Sequence, residues 1–270
     1  MYGENLMVEL AAVTVEPAHL RNMALAIERA HLATAGFVIS PLAAARAVLA
    51  EDEMSLGVSL IDMGGATTSF AIFHDGNLVF SDVIALGGQH ITNDIARGLS
   101  TTVAHAERMK TLWGSALASH VDEQDMIAVP LLGERGVDTV QKVPKSILTG
   151  IIRPRLEEIF ELVRDRLEAS GMAHFAGRRV VLTGGASQLT GAREAAGQCL
   201  DRQVRLGLPA AMPGMPEFAH NAGFAVAAGI LKYTLRPDMG HALPQHRPRQ
   251  IEHAQQGYMR KMGRWIAESF

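Results

Sequence analysis

Leu60-Ile61-Asp62-Met63-Gly64-Gly65-Ala66-Thr67-Thr68 sets an apolar strand against a loop that is nearly all glycine and closes on paired hydroxyls. Glycine adopts positive φ without steric cost. With no Cβ atoms in the way, the backbone N–H groups of such a loop can converge on an anion, so the stretch is a candidate phosphate cradle. Asp62, at the strand's end, is placed to reach a hydrated Mg²⁺, which takes one or two carboxylates and completes its shell with water and phosphate oxygens. A Gly-Gly pair is also ordinary hairpin chemistry, and the loop alone leaves both readings open.

The residues after the loop narrow the choice. Ser69 to Phe73 is apolar and strand-like, Asp75-Gly76 is a two-residue turn signal, and Asn77 to Ile84 returns as another strand. The loop therefore sits at the first corner of a three-stranded meander. A Walker-type P-loop, which needs a helix and Gly-Lys-Ser/Thr directly after the strand, is excluded. A second corner lies downstream, where the strand Val180 to Thr183 meets Gly184-Gly185 and a helix is predicted from about Gln188 to Cys199. Free N–H groups and the positive dipole end of a helix favour an anion there. Between the corners, Ala104 to Gly114 reads as an amphipathic helix with Glu107 and Lys110 three apart on one face. Taken alone, that pair is also a plain surface ion pair.

Around these motifs strands and helices alternate. The segment before residue 50 is predicted as strand 6–15, helix 17–30, strand 35–40 and helix 41–50, with Pro17 and Pro41 at first helical positions. After the meander come helices at about 88–98 and 101–113, then a hairpin with strands near 126–129 and 139–143 around the turn-rich 133–136. A long amphipathic helix over 144–171 carries Ile147, Ile151, Leu156, Ile159, Phe160, Val163 and Leu167 on its apolar side. A short strand at 203–207 and a helix over 221–235 complete an α/β domain. The small residues Ala222, Gly223, Ala225, Ala227, Ala228 and Gly229 would let that last helix pack closely on a sheet or a partner helix.

The chain has 270 residues, 48% of them hydrophobic, enough to build a core, and a formal charge of −3 gives no basic field for nucleic acid. A lone cysteine, Cys199, rules out an intrachain disulfide and fits a reducing compartment. No signal-peptide pattern and no apolar run of about 18 residues is present, so neither secretion nor a membrane span is expected. From Pro237 to Gln256 the sequence is rich in Pro, His, Gln and Arg and reads as a flexible linker. His241, His246 and His253 lack the spacing and partners of a metal site. Beyond the linker, Tyr258, Met259, Met262, Trp265, Ile266 and Phe270 fall on one side of a helix, with Arg260, Lys261 and Arg264 opposite. A bulky apolar face backed by cations on a spacer is what an interfacial membrane anchor requires. A helix docking back on the body is the competing reading, and a twenty-residue spacer argues against it.

Taken together, Asp62-Met-Gly-Gly-Ala-Thr-Thr, Leu182-Thr-Gly-Gly-Ala-Ser and the Ala106-Glu-Arg-Met-Lys run resemble the nucleotide-binding fold of the actin, Hsp70 and sugar-kinase superfamily. Within it, Pro41-Leu-Ala-Ala-Ala, Leu56-Gly-Val and Ile84-Ala-Leu-Gly-Gly-Gln-His-Ile-Thr-Asn-Asp-Ile-Ala-Arg-Gly-Leu resemble the bacterial cell-division family FtsA. The resemblance implies an α/β, actin-like (ribonuclease-H-like) lobe over 57–236, preceded by 1–40 as the remnant of an inserted α+β subdomain and by 41–56 as a helix of a first lobe otherwise missing. A linker over 237–256 and an amphipathic membrane-targeting helix over 257–270 complete the chain. On this reading the chain is truncated at its N-terminus.

The same resemblance implies ATP with Mg²⁺ as ligand, on Asp62, Gly64, Gly65, Thr67, Thr68, Glu107, Lys110, Gly184 and Gly185, with Asp62 reaching the metal through water. The membrane residues are expected to be Met259, Arg260, Lys261, Met262, Arg264, Trp265, Ile266 and Phe270. The superfamily commonly has glycine where Ala66 stands and aspartate where Ser69 stands. Both departures, with the missing lobe, argue against ATP hydrolysis, so no enzyme activity is expected. The implied role is to anchor the tubulin-like division protein FtsZ to the cytoplasmic face of the inner membrane at the septum and to recruit later divisome proteins. FtsZ would meet the region from about 87 to 171, and self-association is expected as in actin. A soluble actin-fold ATPase or kinase, and a pilus-type actin-like scaffold, are the alternatives.

Overall fold

A computed structural model describes residues 10–132 and 140–235. The expected hairpin turn at 133–136, the linker over 237–256 and the terminal helix over 257–270 lie outside the described residues. The chain divides into two units, the larger built on Val38–Asp238 and the smaller containing Val15–Phe37. Of the smaller unit, α1 (Pro17–Arg29) is described, started by a proline as the sequence predicts. Residues 10–15 of the strand predicted at 6–15 are not in a strand, and the strand predicted at 35–40 does not form. Residues 1–9 are outside the described set, 10–16 and 32–39 join no ladder, and Ser40 already opens the next helix.

The larger unit is built on a five-stranded sheet. After α2 (Ser40–Val48) and α3 (Glu51–Leu56) come β1 (Val58–Met63), β2 (Thr68–His74) and β3 (Asn77–Ile84), the predicted meander. Both residues of its second turn, Asp75 and Gly76, take positive φ (49° and 74°), which is what a tight two-residue hairpin demands. Next are α4 (Gly88–Gly98), α5 (Val103–Trp113), the two-stranded hairpin β4 (Met126–Pro130) and β5 (Val140–Pro144), and the long α6 (Lys145–Ala169). Then β6 (Arg179–Thr183), α7 (Ala192–Leu200), β7 (Gln203–Leu206) and α8 (Ala225–Leu235) close the chain's described part. Strand order in the sheet is β3-β2-β1-β6-β7. Antiparallel pairing joins β1 to β2 and β2 to β3, whereas β1, β6 and β7 run parallel.

Successive residues of a strand face opposite sides, and the central strands are apolar on both. Val58 and Leu60 of β1, Ala71 and Phe73 of β2 and Val181 of β6 pack with Ala44, Ala45, Ala47 and Val48 of α2 and with Ala225 and Ala228 of α8. Ile61, Met63, Phe70, Ile72, Val180 and Leu182 turn the other way, onto α4, α5, α6 and α7. The result is a three-layer α/β/α sandwich.

The small-residue pattern of the last helix has the close-packing role the sequence assigns it. A Cβ built on Gly229 of α8 would stand 1.7 Å from the Ala43 carbonyl oxygen of α2, so the two backbones meet because no side chain separates them. Residues 41–56 lie in the same compact unit as the sheet, because α2 buries its alanine face on β1, β2 and β6.

Two helices depart from expectation. After Gly184 the chain makes a short 3-10 turn (Gly185–Gln188), and Gly191 at φ +85° resets its direction before α7 begins at Ala192, not at Gln188. Along α6, Leu148 and Ile152 start the buried stripe and Ile147 is 44% exposed, so the apolar face is displaced by one position at its start. Pro154 sits inside α6, and Gly150, four residues before it, carries no side chain to crowd the interrupted turn.

Candidate functional site

The two glycine corners meet because β1 and β6 are parallel neighbours, with Asp62 beside Thr183 in register. Their carboxyl ends therefore open side by side, where α/β sheets place ligands. Beyond them lies a cleft of about 560 Å³, within the size range of small-molecule sites. Gly64 and Gly65, Gly88 and Gln89 of α4, Glu107 and Lys110 of α5, and Gly185, Ala186 and Gln188 of the 3-10 turn are among its walls.

The first loop is held by α4. The Gly88 N–H donates to the Gly64 carbonyl (2.9 Å) and the Gln89 N–H to the Gly65 carbonyl (2.7 Å), so the helix N-terminus spends its first donors on the loop. A Cβ on Gly87 would fall 2.6 Å from the Gly64 oxygen, which is why glycine stands at that approach. Within the loop the Gly64 N–H closes a turn on the Thr67 carbonyl at 2.9 Å. Among the described residues no acceptor faces the Gly65 or Ala66 N–H. With the carbonyls committed to α4 and two neighbouring amides left over, the loop has the polarity of an anion cradle. A Cβ placed on Gly65 or Gly185 would meet nothing within 4 Å, so both bare α-carbons border open space.

Opposite the loop, the Lys110 ammonium, with 15% of its side chain exposed, donates to Glu107 Oε2 (2.8 Å), Thr92 Oγ1 (2.8 Å) and the Gly88 carbonyl (3.1 Å). Thr92, fully buried on α4, also bonds the Gly88 carbonyl and Glu107 Oε2 through its hydroxyl. Partial burial acts to raise the Glu107 carboxyl, but the bonds from Lys110 and Thr92 and the lysine's charge outweigh it and hold its pKa below the ordinary glutamate value. The pair is thus a tied element of the cleft wall, more than the loose surface ion pair that spacing alone allowed.

Asp62 lies beneath the corner and is not among the walls. By strand alternation its side chain shares the side of Val58 and Leu60, facing α2, next to Ser69, whose hydroxyl stands 3.3 Å from that of Ser40. Gly184, at φ +89°, lets the carboxylate in, since a Cβ there would stand 2.4 Å from Asp62 Oδ1. Burial pushes the Asp62 carboxyl up to about 6. A carboxylate held short of water and near an anion-binding loop suits a hydrated divalent cation. Among the described residues no group of three or more His, Cys, Asp or Glu could hold a metal by protein ligands alone, so Mg²⁺ fits here only with water and phosphate oxygens as its main shell.

Of the nine residues expected at a nucleotide, Gly64, Gly65, Glu107, Lys110 and Gly185 line the cleft, and Asp62 and Gly184 support it from below. Thr67 is exposed at the loop's tip. Thr68 is a correction. It is fully buried, and its hydroxyl donates to the Leu86 carbonyl (2.8 Å), pinning the start of β2 to the segment after β3. Sequence reasoning missed Gly87-Gly88 and Thr92. The first pair had a legible signal, a Gly-Gly between a strand and a helix, while Thr92 shows only once α4 and α5 are packed together. The expected membrane residues, Met259 to Phe270, lie outside the described residues, and among those described no helix is long and apolar enough to cross a membrane.

Comparison with known proteins agrees with this geometry. A family model described as Cell division protein FtsA matches residues 59–229. The chain is 43% identical over 280 aligned positions to the cell division protein FtsA of Agrobacterium fabrum, with all of the chain aligned and 61% of that relative covered. It therefore spans about three-fifths of the relative's length. Among solved structures, MreB5 of Spiroplasma citri bound to ADP superposes with a TM-score of 0.62 at 17% identity, covering 82% of this chain and 68% of that one. A PilM–PilN type IV pilus biogenesis complex gives 0.59 at 21% identity, covering 78% of this chain and 56% of that one. The fold is actin-like.

Proposed function

The chain belongs to the FtsA family of cell division proteins, and from that membership we propose that it is an adaptor of the division machinery, holding FtsZ at the cytoplasmic face of the inner membrane at the septum and recruiting later divisome proteins. The observation that carries the reading is the family match over 59–229, which takes in both glycine corners and the whole cleft between them.

In this proposal the cleft receives ATP with Mg²⁺. The nucleotide supplies a phosphate chain whose charge the loop amides and the cation share; everything else is done by the chain itself. Gly65 and Ala66 offer N–H donors to phosphate oxygens, and the bare α-carbon of Gly185 lets the ligand approach the second corner. Glu107 and Lys110 border the nucleoside end, and Asp62, beneath the loop, would add its negative charge to the site of Mg²⁺ through water. MreB5, whose fold this chain shares, is bound to ADP in its structure, which supports nucleotide as the ligand class. The adaptor acts by holding partners together and needs no hydrolysis. Self-association of the actin-like body and insertion of the 257–270 helix into anionic lipid complete the role.

Co-sedimentation tests the proposal. FtsZ is mixed with anionic vesicles with and without this chain, and with a variant carrying Trp265→Glu and Phe270→Glu. The adaptor reading predicts that FtsZ pellets with vesicles only when the unaltered chain is present. Loss of ATP turnover would be irrelevant to that result, whereas FtsZ left in the supernatant by the unaltered chain would overturn it.

A further inference from the structure

Thr92 is out of contact with solvent, yet its hydroxyl stands at the crossing point of three groups: the Gly88 carbonyl (3.0 Å), the Lys110 ammonium (2.8 Å) and Glu107 Oε2. We infer that Thr92 is a positioning residue that fixes the Glu107–Lys110 pair and ties it to the Gly64-Gly65 loop through the first turn of α4. The inference rests on the nucleotide reading above for its effect on affinity, and on geometry alone for the tie itself.

Proton counting shows why one hydroxyl matters. An ammonium has three N–H donors, and Lys110 commits them to Gly88, Thr92 and Glu107. A threonine hydroxyl has one proton and two lone pairs, so Thr92 accepts from Lys110 and shares its proton between Gly88 and Glu107. Lys110 is thereby saturated by protein acceptors, and it is a brace more than a ligand for phosphate. Glu107 Oε2 is occupied in the same way, by Thr92 and Lys110. Gly88 links the two ends: its carbonyl takes bonds from Thr92 and Lys110 on one side, and its N–H donates to Gly64 on the other. A displacement of Lys110 and Glu107 is therefore passed to the phosphate loop through a single residue. Removing the hydroxyl leaves the lysine one acceptor short in a nearly closed site, where such losses are costly.

Two substitutions separate the hydroxyl from the packing. Thr92→Val keeps the shape and removes the hydrogen bonds, and Thr92→Ser keeps the hydroxyl and loses only a methyl group. Hydrogen exchange of the Gly88 and Gln89 amides, measured without ligand, reads the tie to the loop, and titration with ATP and Mg²⁺ reads its effect on binding. The expected result is faster exchange at both amides and about tenfold weaker ATP binding in Thr92→Val, with both returned to near the parent values in Thr92→Ser. Unchanged exchange in Thr92→Val would overturn the inference, as would equal defects in the two variants, which would assign the effect to packing. If the parent chain binds no ATP, the nucleotide reading fails while the exchange comparison still decides the role of Thr92.

Discussion

Replacing Asp62 by asparagine should stabilise the unliganded protein above neutral pH, and the size of the effect depends on where the carboxylate sits. Its pKa stands near 3.8 in water and is pushed up to about 6 by burial between β1, Gly184 and the α2 side of the sheet. A carboxyl whose folded value is raised favours folding when protonated. That contribution is fully present below about pH 3.8 and is lost as the pH rises through about 6. A shift of about two units corresponds to at most about 3 kcal/mol. Asparagine does not titrate, and whatever its amide gains or loses in contacts is the same at every pH. Urea denaturation of parent and variant from pH 4 to pH 8 should therefore show a difference in stability that grows with pH in favour of Asp62→Asn, by up to about 3 kcal/mol, with most of the change between pH 4 and 6.5. Other titrating groups cancel in the difference. A gap that stays constant across the range would refute the reasoning, because it would mean that Asp62 is solvated in the folded protein. The same variant should weaken the Mg²⁺ dependence of nucleotide binding, since the carboxylate beneath the loop is gone.

Two glycines pressed against neighbouring atoms should not accept a side chain. Gly184→Ala forces a side chain onto φ +89° and into Asp62, and should cost roughly 1–3 kcal/mol in thermal or urea unfolding. Gly229→Ala should destabilise the fold by about 3 kcal/mol or more, read from the denaturation midpoint, because its Cβ has no room beside Ala43. Thr68→Val should cost on the order of 1 kcal/mol through the lost bond to Leu86, measured in the same way. If instead it abolishes ATP binding without altering stability, Thr68 touches the ligand after all. For the tail, Trp265→Glu with Phe270→Glu should remove co-sedimentation with anionic vesicles, and unchanged pelleting would assign those residues to another role.

Much of the body was legible because its signals are local. The apolar runs of β1 and β2, the Asp75-Gly76 turn and the proline start of α1 each depend on a few neighbouring side chains, and each formed as read. Readings that depend on partners were less secure. Residues 35–40 have strand composition but find no ladder. The cleft was half visible. Glycine corners announce themselves in sequence, whereas the burial of Thr68 and the bracing role of Thr92 depend on which way a side chain turns once β2 meets β3 and α4 meets α5. Asp62 was found by its position after a strand, but its placement on the α2 side of the sheet comes only from the register with Ser69 and Thr183.

Isothermal titration of the full chain with ATP and Mg²⁺, run beside Gly185→Val, tests the cleft most directly. Gly185 borders open space at an ordinary φ, so valine there should leave the unfolding midpoint unchanged while filling part of the ligand's volume. A nucleotide seated between the two glycine corners predicts saturable binding by the parent chain and at least tenfold weaker binding by the variant at equal stability. Equal affinity in the two proteins, with both fully folded, would contradict it.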